Sequence, residues 1–178
     1  MALKEGPEYC GQIVQEDIGL PETSKINLGG ISWTRFSELK CKEILKKPKL
    51  DQHKYTSGKV LIIAGSRGMT GAAILSTNSA LRSGAGLTMT ANPSSLNHIY
   101  ETSLTEGITF SLPDKNKGCL YFSHYDSIME KVEWADSILI GPGLGRNKST
   151  QLLIKKLVES INKPLILDAD GLFPYTNS

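Results

Sequence analysis

The chain of 178 residues carries 20 Lys and Arg against 18 Asp and Glu, and a net charge of +2 excludes the strong field that would draw in nucleic acid or an anionic membrane. An apolar content of 39% with 21% charged residues is that of an ordinary globular protein, long enough for one domain or a domain with an appendage. No apolar run has the length of a membrane span or a signal peptide, and three scattered cysteines (Cys10, Cys41, Cys119) without a C-x-x-C argue against a disulfide or zinc framework, which points to reduced thiols in the cytoplasm.

Taken in chain order, residues 11–21 hold one candidate strand around Ile13, Val14 and Ile18, closed by Gly19 and Pro21. One strand cannot bury itself, so it either joins the sheet that follows or belongs to a sheet elsewhere in the protein. From Ser32 to Lys47 apolar residues recur at Trp33, Phe36, Leu39, Ile44 and Leu45, lysines crowd the end and Pro48 stops the run. That is the pattern of a helix with cations at its C-terminus. The lysines Lys40, Lys42, Lys46, Lys47 and Lys49 form either a binding patch or a solvated helix end, and the second is the commoner fate. A polar linker follows and carries His53 and Lys54; Lys54 could meet a phosphate or simply lie at the surface.

The central stretch is Gly58 to Gly86. Val60 to Ala64 is an apolar, β-branched run of buried-strand length. The turn Gly65-Ser66-Arg67-Gly68-Met69-Thr70-Gly71 comes next, followed by a segment in which Ala72, Ala73, Ile74, Leu75, Ala80 and Leu81 can pack a helix on a sheet. A strand, a glycine turn and a helix aim backbone N–H groups and a positive dipole end at an anion. The glycine spacing matches neither G-x-x-x-x-G-K-[ST] nor G-x-G-x-x-G, so a tight turn without a ligand stays open.

Farther on, residues 87–91 read as a second buried strand broken by Asn92-Pro93, residues 95–100 as a short helix and residues 106–110 as a strand. The stretch 111–118 is a turn-rich loop and 124–131 a helix. Residues 135–140 form a third buried strand ending in the turn Gly141-Pro142-Gly143-Leu144-Gly145. Residues 149–161 form an amphipathic helix with Leu152, Leu153, Ile154, Leu157 and Val158 inward. Residues 164–167 are a fourth strand, ending in Asp168-Ala169-Asp170-Gly171. Alternating strands and helices with continuous apolar strands predict a mainly parallel α/β sheet covered on both faces, with ligands beyond the carboxyl ends of its strands. The three distinctive turns all fall at such ends.

His53-Lys54, GKVLIIAGSRGMTGAAILSTNSALRSGAGL, GPGLGR and LILDADGL, in that order, resemble the ADP/ATP-dependent NAD(P)H-hydrate dehydratases. The resemblance implies a ribokinase-like, three-layer α/β/α fold from about His53 onward. It also implies an activity: dehydration of NADHX and NADPHX back to NADH and NADPH at the expense of ATP or ADP with Mg2+. The N-terminal ALKEGPEYCGQIVQEDIGLP is similar to the last strands of the epimerase domain that precedes the dehydratase in bifunctional versions. The expected organisation is therefore residues 1–30 as an epimerase remnant, 31–52 as helix and linker, and 53–178 as the N-terminal part of the dehydratase, with its C-terminal half absent and the catalytic aspartate beyond Ser178. Such a chain on its own is expected to have doubtful activity and to expose an unpaired sheet edge, so that it is marginally stable or associates.

By the same resemblance Gly65, Gly71, Ala72 and Ala73 line the dinucleotide substrate, with Ala73 the better match to the contacting position, and Gly143 supplies a second contact. Asp168 and Asp170, at a strand end, could hold a metal, a water or a ribose hydroxyl, or could stabilise an Asx-type turn; Asp170 is the candidate carried forward. His98 and His124 are expected at the surface, Arg82 in packing or a salt bridge, and Trp33 and Trp134 in the core. No residue of the chain is expected to be catalytic and none to bind a resident metal. A homo-oligomer with no nucleic-acid or membrane partner is expected. Two other functions remain open: a ribokinase-like vitamin or sugar kinase, and a non-catalytic dinucleotide-binding module.

Overall fold

A computed structural model of the protein describes Gly11, residues 37–44 and residues 53–176. The chain divides into two units, Met1–Lys47 and Pro48–Ser178. In the first unit helix α1, Glu38–Ile44, lies within the expected 32–47 helix; none of its residues is buried, and Lys42 pairs with Glu38 one turn back at 2.6 Å. The expected strand around residues 13–18, Cys10, Trp33 and the linker residues 49–52 lie outside the described residues.

The second unit is built on a parallel sheet. Its strands are β1 (Lys59–Ile63), β2 (Leu87–Pro93), β3 (Ile108–Leu112), β4 (Ser137–Ile140) and β5 (Leu165–Leu167), arranged β3-β2-β1-β4-β5. The crossovers contain α2 (Thr70–Arg82), α3 (Asn97–Ser103), α4 (Tyr125–Trp134) and α5 (Lys148–Ser160). Alternation along β1 explains its unbroken apolar run. Leu61 and Ile63 join Ile128, Val132, Leu153, Ile154 and Leu157 of α4 and α5, while Ile62 and Ala64 join Ala73 and Tyr100 of α2 and α3 on the opposite face. Helices on both faces make a three-layer α/β/α arrangement in which Leu61, Ile62 and Ile63 of the central strand are buried whichever face they point to.

Several elements differ from the sequence expectation for identifiable reasons. In α2 the buried residues are Ala73 and Thr77, and Leu75 is 69% exposed. Thr77 tolerates the interior because its hydroxyl contacts the Ala73 carbonyl at 2.8 Å and the Thr90 hydroxyl at 2.7 Å. In α5 Thr150 is buried, its hydroxyl donating to the Leu120 carbonyl, whereas Leu152 is 58% exposed. Satisfied hydroxyls thus hold inward positions that hydrophobicity assigned to leucines. Pro93 closes β2 rather than breaking it, paired with Leu112 of β3. His124 is buried, not superficial: Tyr121 N–H donates to its Nδ1, and its Nε2 lies 2.9 Å from the Pro113 carbonyl. His98 and Arg82 are exposed, and Trp134 packs half-buried against the α4–α5 core.

The C-terminus of α4 is closed from outside the helix. Lys163 Nζ donates to the carbonyls of Val132, Glu133 and Ala135 at 2.8–2.9 Å, placing a cation where the helix dipole is negative. On the α2–α3 face the sheet is open beside Leu75, where a cavity of about 680 Å3 is lined by Val60, Leu139 and Ile166, the last 66% exposed.

The two neighbours Leu152 and Leu153 separate surface from core. Leu153→Ala is expected to cost about 2–5 kcal/mol in urea unfolding, and Leu152→Ala less than about 0.5 kcal/mol; equal losses would contradict the orientation of α5.

Candidate functional site

Because the sheet is parallel, the carboxyl ends of its strands share one edge. The chain runs from β1 outward to β2 and β3, then returns to the other side of β1 for β4 and β5. The crevice expected at such a switch point lies beyond β1 and β4, and the two glycine turns follow exactly those strands. They are joined by backbone and side-chain bonds. Gly65 N–H donates to the Pro142 carbonyl at 2.8 Å, Ser66 Oγ donates to the Gly143 carbonyl at 2.8 Å, and Gly141 N–H donates to Ile63 at 3.1 Å. The third reversal is tied in by Asp170, whose carboxylate accepts from Gly145 N–H at 2.9 Å and lies 3.6 Å from Arg146 Nε. Asp168 N–H donates to the Ile140 carbonyl at 3.0 Å. The three turns therefore meet along one rim.

At two glycines in this rim any side chain would be strained. Gly65 has φ +79°, and a Cβ there would stand 2.3 Å from the Tyr100 hydroxyl and 3.0 Å from the Ala73 Cβ. Gly143 has φ +64°, and its Cβ would stand 2.9 Å from the Ala72 Cβ and 3.0 Å from the Met69 Cβ. Both conformations disfavour any side chain. The close approach of Gly143 also explains why α2 begins with a small residue at Ala72: the β4 turn packs directly on its first turn.

The N-terminus of α2 has no side-chain cap and no acidic residue in its first turn. The early N–H groups of a helix have no intrahelical partner, so this end offers a positive dipole and backbone donors to an anion in the crevice. The α5 N-terminus is capped instead by Asn147, which accepts from Ser149 N–H at 2.9 Å.

The candidates from the sequence occupy distinct places in this arrangement. Gly71 is exposed and Ala72, Gly143 and Asp170 are half-buried, all on the rim. Gly65 is buried within it, and Ala73 is fully buried beneath Gly65 with its methyl in the Tyr100 cluster. Asp168 is exposed. Lys54 sits elsewhere: its carbonyl occupies the position a Cβ on Gly86 would take, at the amino ends of β1 and β2, opposite the crevice.

Sequence reasoning did not single out the supports of the β1 turn. Arg67 N–H donates to the Gly118 carbonyl at 2.7 Å, and its guanidinium to Asn116. The loop carrying those partners is organised by Asp114, which is buried and accepts from the hydroxyls of Ser94 and Ser95 and the N–H groups of Ser95 and Gly118. Burial alone would raise the Asp114 pKa, but these donors, the Ser95 hydroxyl foremost, hold it well below the usual carboxylate range. The turn-forming Pro-Asp-Lys-Asn-Lys-Gly string was the available signal for this anchor. Burial pushes the Tyr100 phenol up to about 12, so it stays protonated beneath Gly65.

No group of three His, Cys, Asp or Glu side chains among the described residues is arranged to hold a metal ion. Asp170 is already committed to Gly145 and Arg146, so a Mg2+ site is not assigned to these residues.

Residues 60–178 match the family model described as NAD(P)H-hydrate dehydratase. A bifunctional NAD(P)H-hydrate repair enzyme of Moorella thermoacetica is 33% identical over 97% of this chain, and the corresponding Escherichia coli enzyme 34% over 78%. The chain spans about a third of the Moorella protein's length (32%) and less of the Escherichia coli one (24%). Among solved structures, a protein of Streptococcus mutans superposes with a TM-score of 0.65 at 28% identity, over 78% of this chain and 48% of that one. The ADP/ATP-dependent NAD(P)H-hydrate dehydratase of Bacillus subtilis, co-crystallized with ATP/Mg2+, superposes with a TM-score of 0.58 at 26% identity, over 76% of this chain and 46% of that one.

Gly65→Ala is expected to destabilise by about 2–4 kcal/mol, and adding Tyr100→Phe, which removes the nearest clashing atom, to recover part of that loss in a double-mutant cycle. Strict additivity would show that the phenol does not set the Gly65 requirement. Asp114 has a depressed folded pKa, so its contribution is present above the ordinary carboxylate pKa of about 4 and is lost as pH falls toward the lowered folded value. Asp114→Asn should therefore destabilise at pH 7 by about 2 kcal/mol, and should flatten the acid-side decline of the urea midpoint; an unchanged decline would assign it to other carboxylates.

Proposed function

The chain belongs to the NAD(P)H-hydrate dehydratase family, and from that membership we propose that it forms the dinucleotide-binding part of an enzyme returning NADHX and NADPHX to NADH and NADPH. The observation that carries this reading is the junction of the Gly65–Gly71 and Gly141–Gly145 turns at the switch point of the sheet, where Gly65 N–H bonds Pro142 and Ser66 bonds Gly143.

Each part of the rim has work suited to a dinucleotide. The uncapped first turn of α2 presents N–H groups to a pyrophosphate, and its dipole favours that negative charge. Gly143 and Ala72 leave no bulk between backbone and ligand, so a flat ring can lie against the turn. Ala73 and Gly65, the other two candidates on this wall, lie close to each other and to Tyr100, which fixes the turn from below. Asp170 holds the β4 turn through Gly145 N–H.

Loss of water from a hydrated nicotinamide ring needs its hydroxyl converted into a leaving group, and ATP or ADP with Mg2+ supplies the phosphoryl group for that when bound. The ATP/Mg2+ of the Bacillus subtilis neighbour supports this choice of co-substrate. The residues of this chain bind and orient the dinucleotide; none is assigned as the proton-transfer group. A cytoplasmic, homo-oligomeric working state belongs to the same proposal.

The test is binding. Titration of the chain with NADPH, followed by calorimetry, is expected to give saturable heat, and Gly143→Ala, whose methyl would press on Ala72 and Met69, is expected to weaken it about tenfold or more. Far-ultraviolet circular dichroism checks that the variant keeps its fold. A folded chain that gives no heat with NADPH would sink the reading.

A further inference from the structure

Outside the crevice, the strongest unexplained feature is a groove of about 470 Å3 between α5 and the turn Phe173–Tyr175, lined by Arg146, Lys148, Lys155, Leu152 and Phe173. Lys148 and Lys155 are seven residues apart on α5, two turns along one helix face, and both line the groove. Neither forms an ion pair among the described residues. Arg146 stacks its guanidinium 4.5 Å from the centre of the Phe173 ring, which fixes its plane, and spends only one edge on Asp170 at 3.6 Å. The phenol of Tyr175, in the turn that borders the groove, is raised above its ordinary pKa first by burial and then by the charge of Glu159. Three cations so gathered repel one another, and a bound dianion would relieve that repulsion.

The groove opens where the crevice wall ends. Gly145 links the two: on one side its Cβ position is 3.4 Å from Ser66 Oγ, and on the other its carbonyl accepts at 2.9 Å from Gln151 of α5, which lines the groove. A ligand lying along the rim would therefore pass from backbone N–H donors at α2 to side-chain cations at α5. Those two settings suit different phosphates. A pyrophosphate is matched by backbone donors and a helix dipole, whereas a terminal phosphomonoester carries close to two negative charges and calls for Arg and Lys.

We propose that the Arg146–Lys148–Lys155 groove binds the 2′-phosphate of a phosphorylated dinucleotide, so that this chain prefers the NADP form of its ligand to the NAD form. The inference rests on the dinucleotide reading above and adds to it the substrate preference and the residues that set it.

The experiment compares NADPH and NADH as probes, by calorimetry at low and physiological salt, on the unsubstituted chain, on Lys148→Ala/Lys155→Ala and on Lys156→Ala. Lys156 is on the same helix but turned toward the Tyr125 ring at 6.0 Å, so it matches a loss of charge outside the groove. Expected is a preference for NADPH in the unsubstituted chain, loss of about tenfold in NADPH affinity in the double variant with NADH affinity unchanged, and no change of ratio in Lys156→Ala. The preference should also shrink as salt rises. Equal binding of the two probes by the unsubstituted chain, or a double variant that keeps the ratio, overturns the groove assignment and leaves the dinucleotide site standing. Absence of binding by either probe overturns both.

Discussion

β1 is hydrogen-bonded to a parallel strand on each side, and Leu61 to Ile63 are buried on both of its faces. That single constraint determines where everything else goes. A strand with no exposed face has to be covered by helices above and below, and parallel neighbours can only be reached by crossovers that supply those helices. Since the chain leaves β1 in one direction for β2 and β3 and in the other for β4 and β5, the turns that follow β1 and β4 are left side by side with no helix between them. The crevice is thus a consequence of strand order, and the glycines are what make it narrow.

The contacts inside the crevice are of two kinds. Bonds such as Gly65 to Pro142 and Gly145 to Asp170 fix the turns relative to one another before any ligand arrives. Close approaches, Gly143 against Ala72 and Gly65 against the Tyr100 hydroxyl, remove side chains from the surface a ligand would meet. A preformed rim of this kind reduces the ordering cost of binding. Ala73 is fully buried beneath Gly65, so the rim's exposed surface there is formed by Gly71 and Ala72.

Much of this was legible along the chain. The apolar run at Val60–Ala64, the glycine turns at strand ends and the alternation of strands and helices follow from local rules of burial and turn chemistry, and they suffice for a parallel α/β sheet with a ligand edge. Family membership was legible too, because four motifs in fixed order are read directly as letters. The inward faces of α2 and α5 were not. A threonine whose hydroxyl finds a carbonyl, as Thr77 and Thr150 do, is as good an interior residue as leucine, and that partner lies elsewhere in the chain. His124 was misplaced for the same reason: its two ring nitrogens are satisfied by Tyr121 and Pro113, a partner set that exists only in the folded loop.

By itself the sequence determined the element types, the parallel sheet and the family, since each rests on patterns within a few residues or on motif order. Tertiary structure alone decided which bonds join the three turns expected along one edge, that Lys54 lies at the far end of the sheet, that Asp114 anchors the loop beside Arg67, and that Arg146, Lys148 and Lys155 line one groove. The physical reason is distance along the chain: these relations join residues tens of positions apart, and only the register of parallel strands brings such positions together.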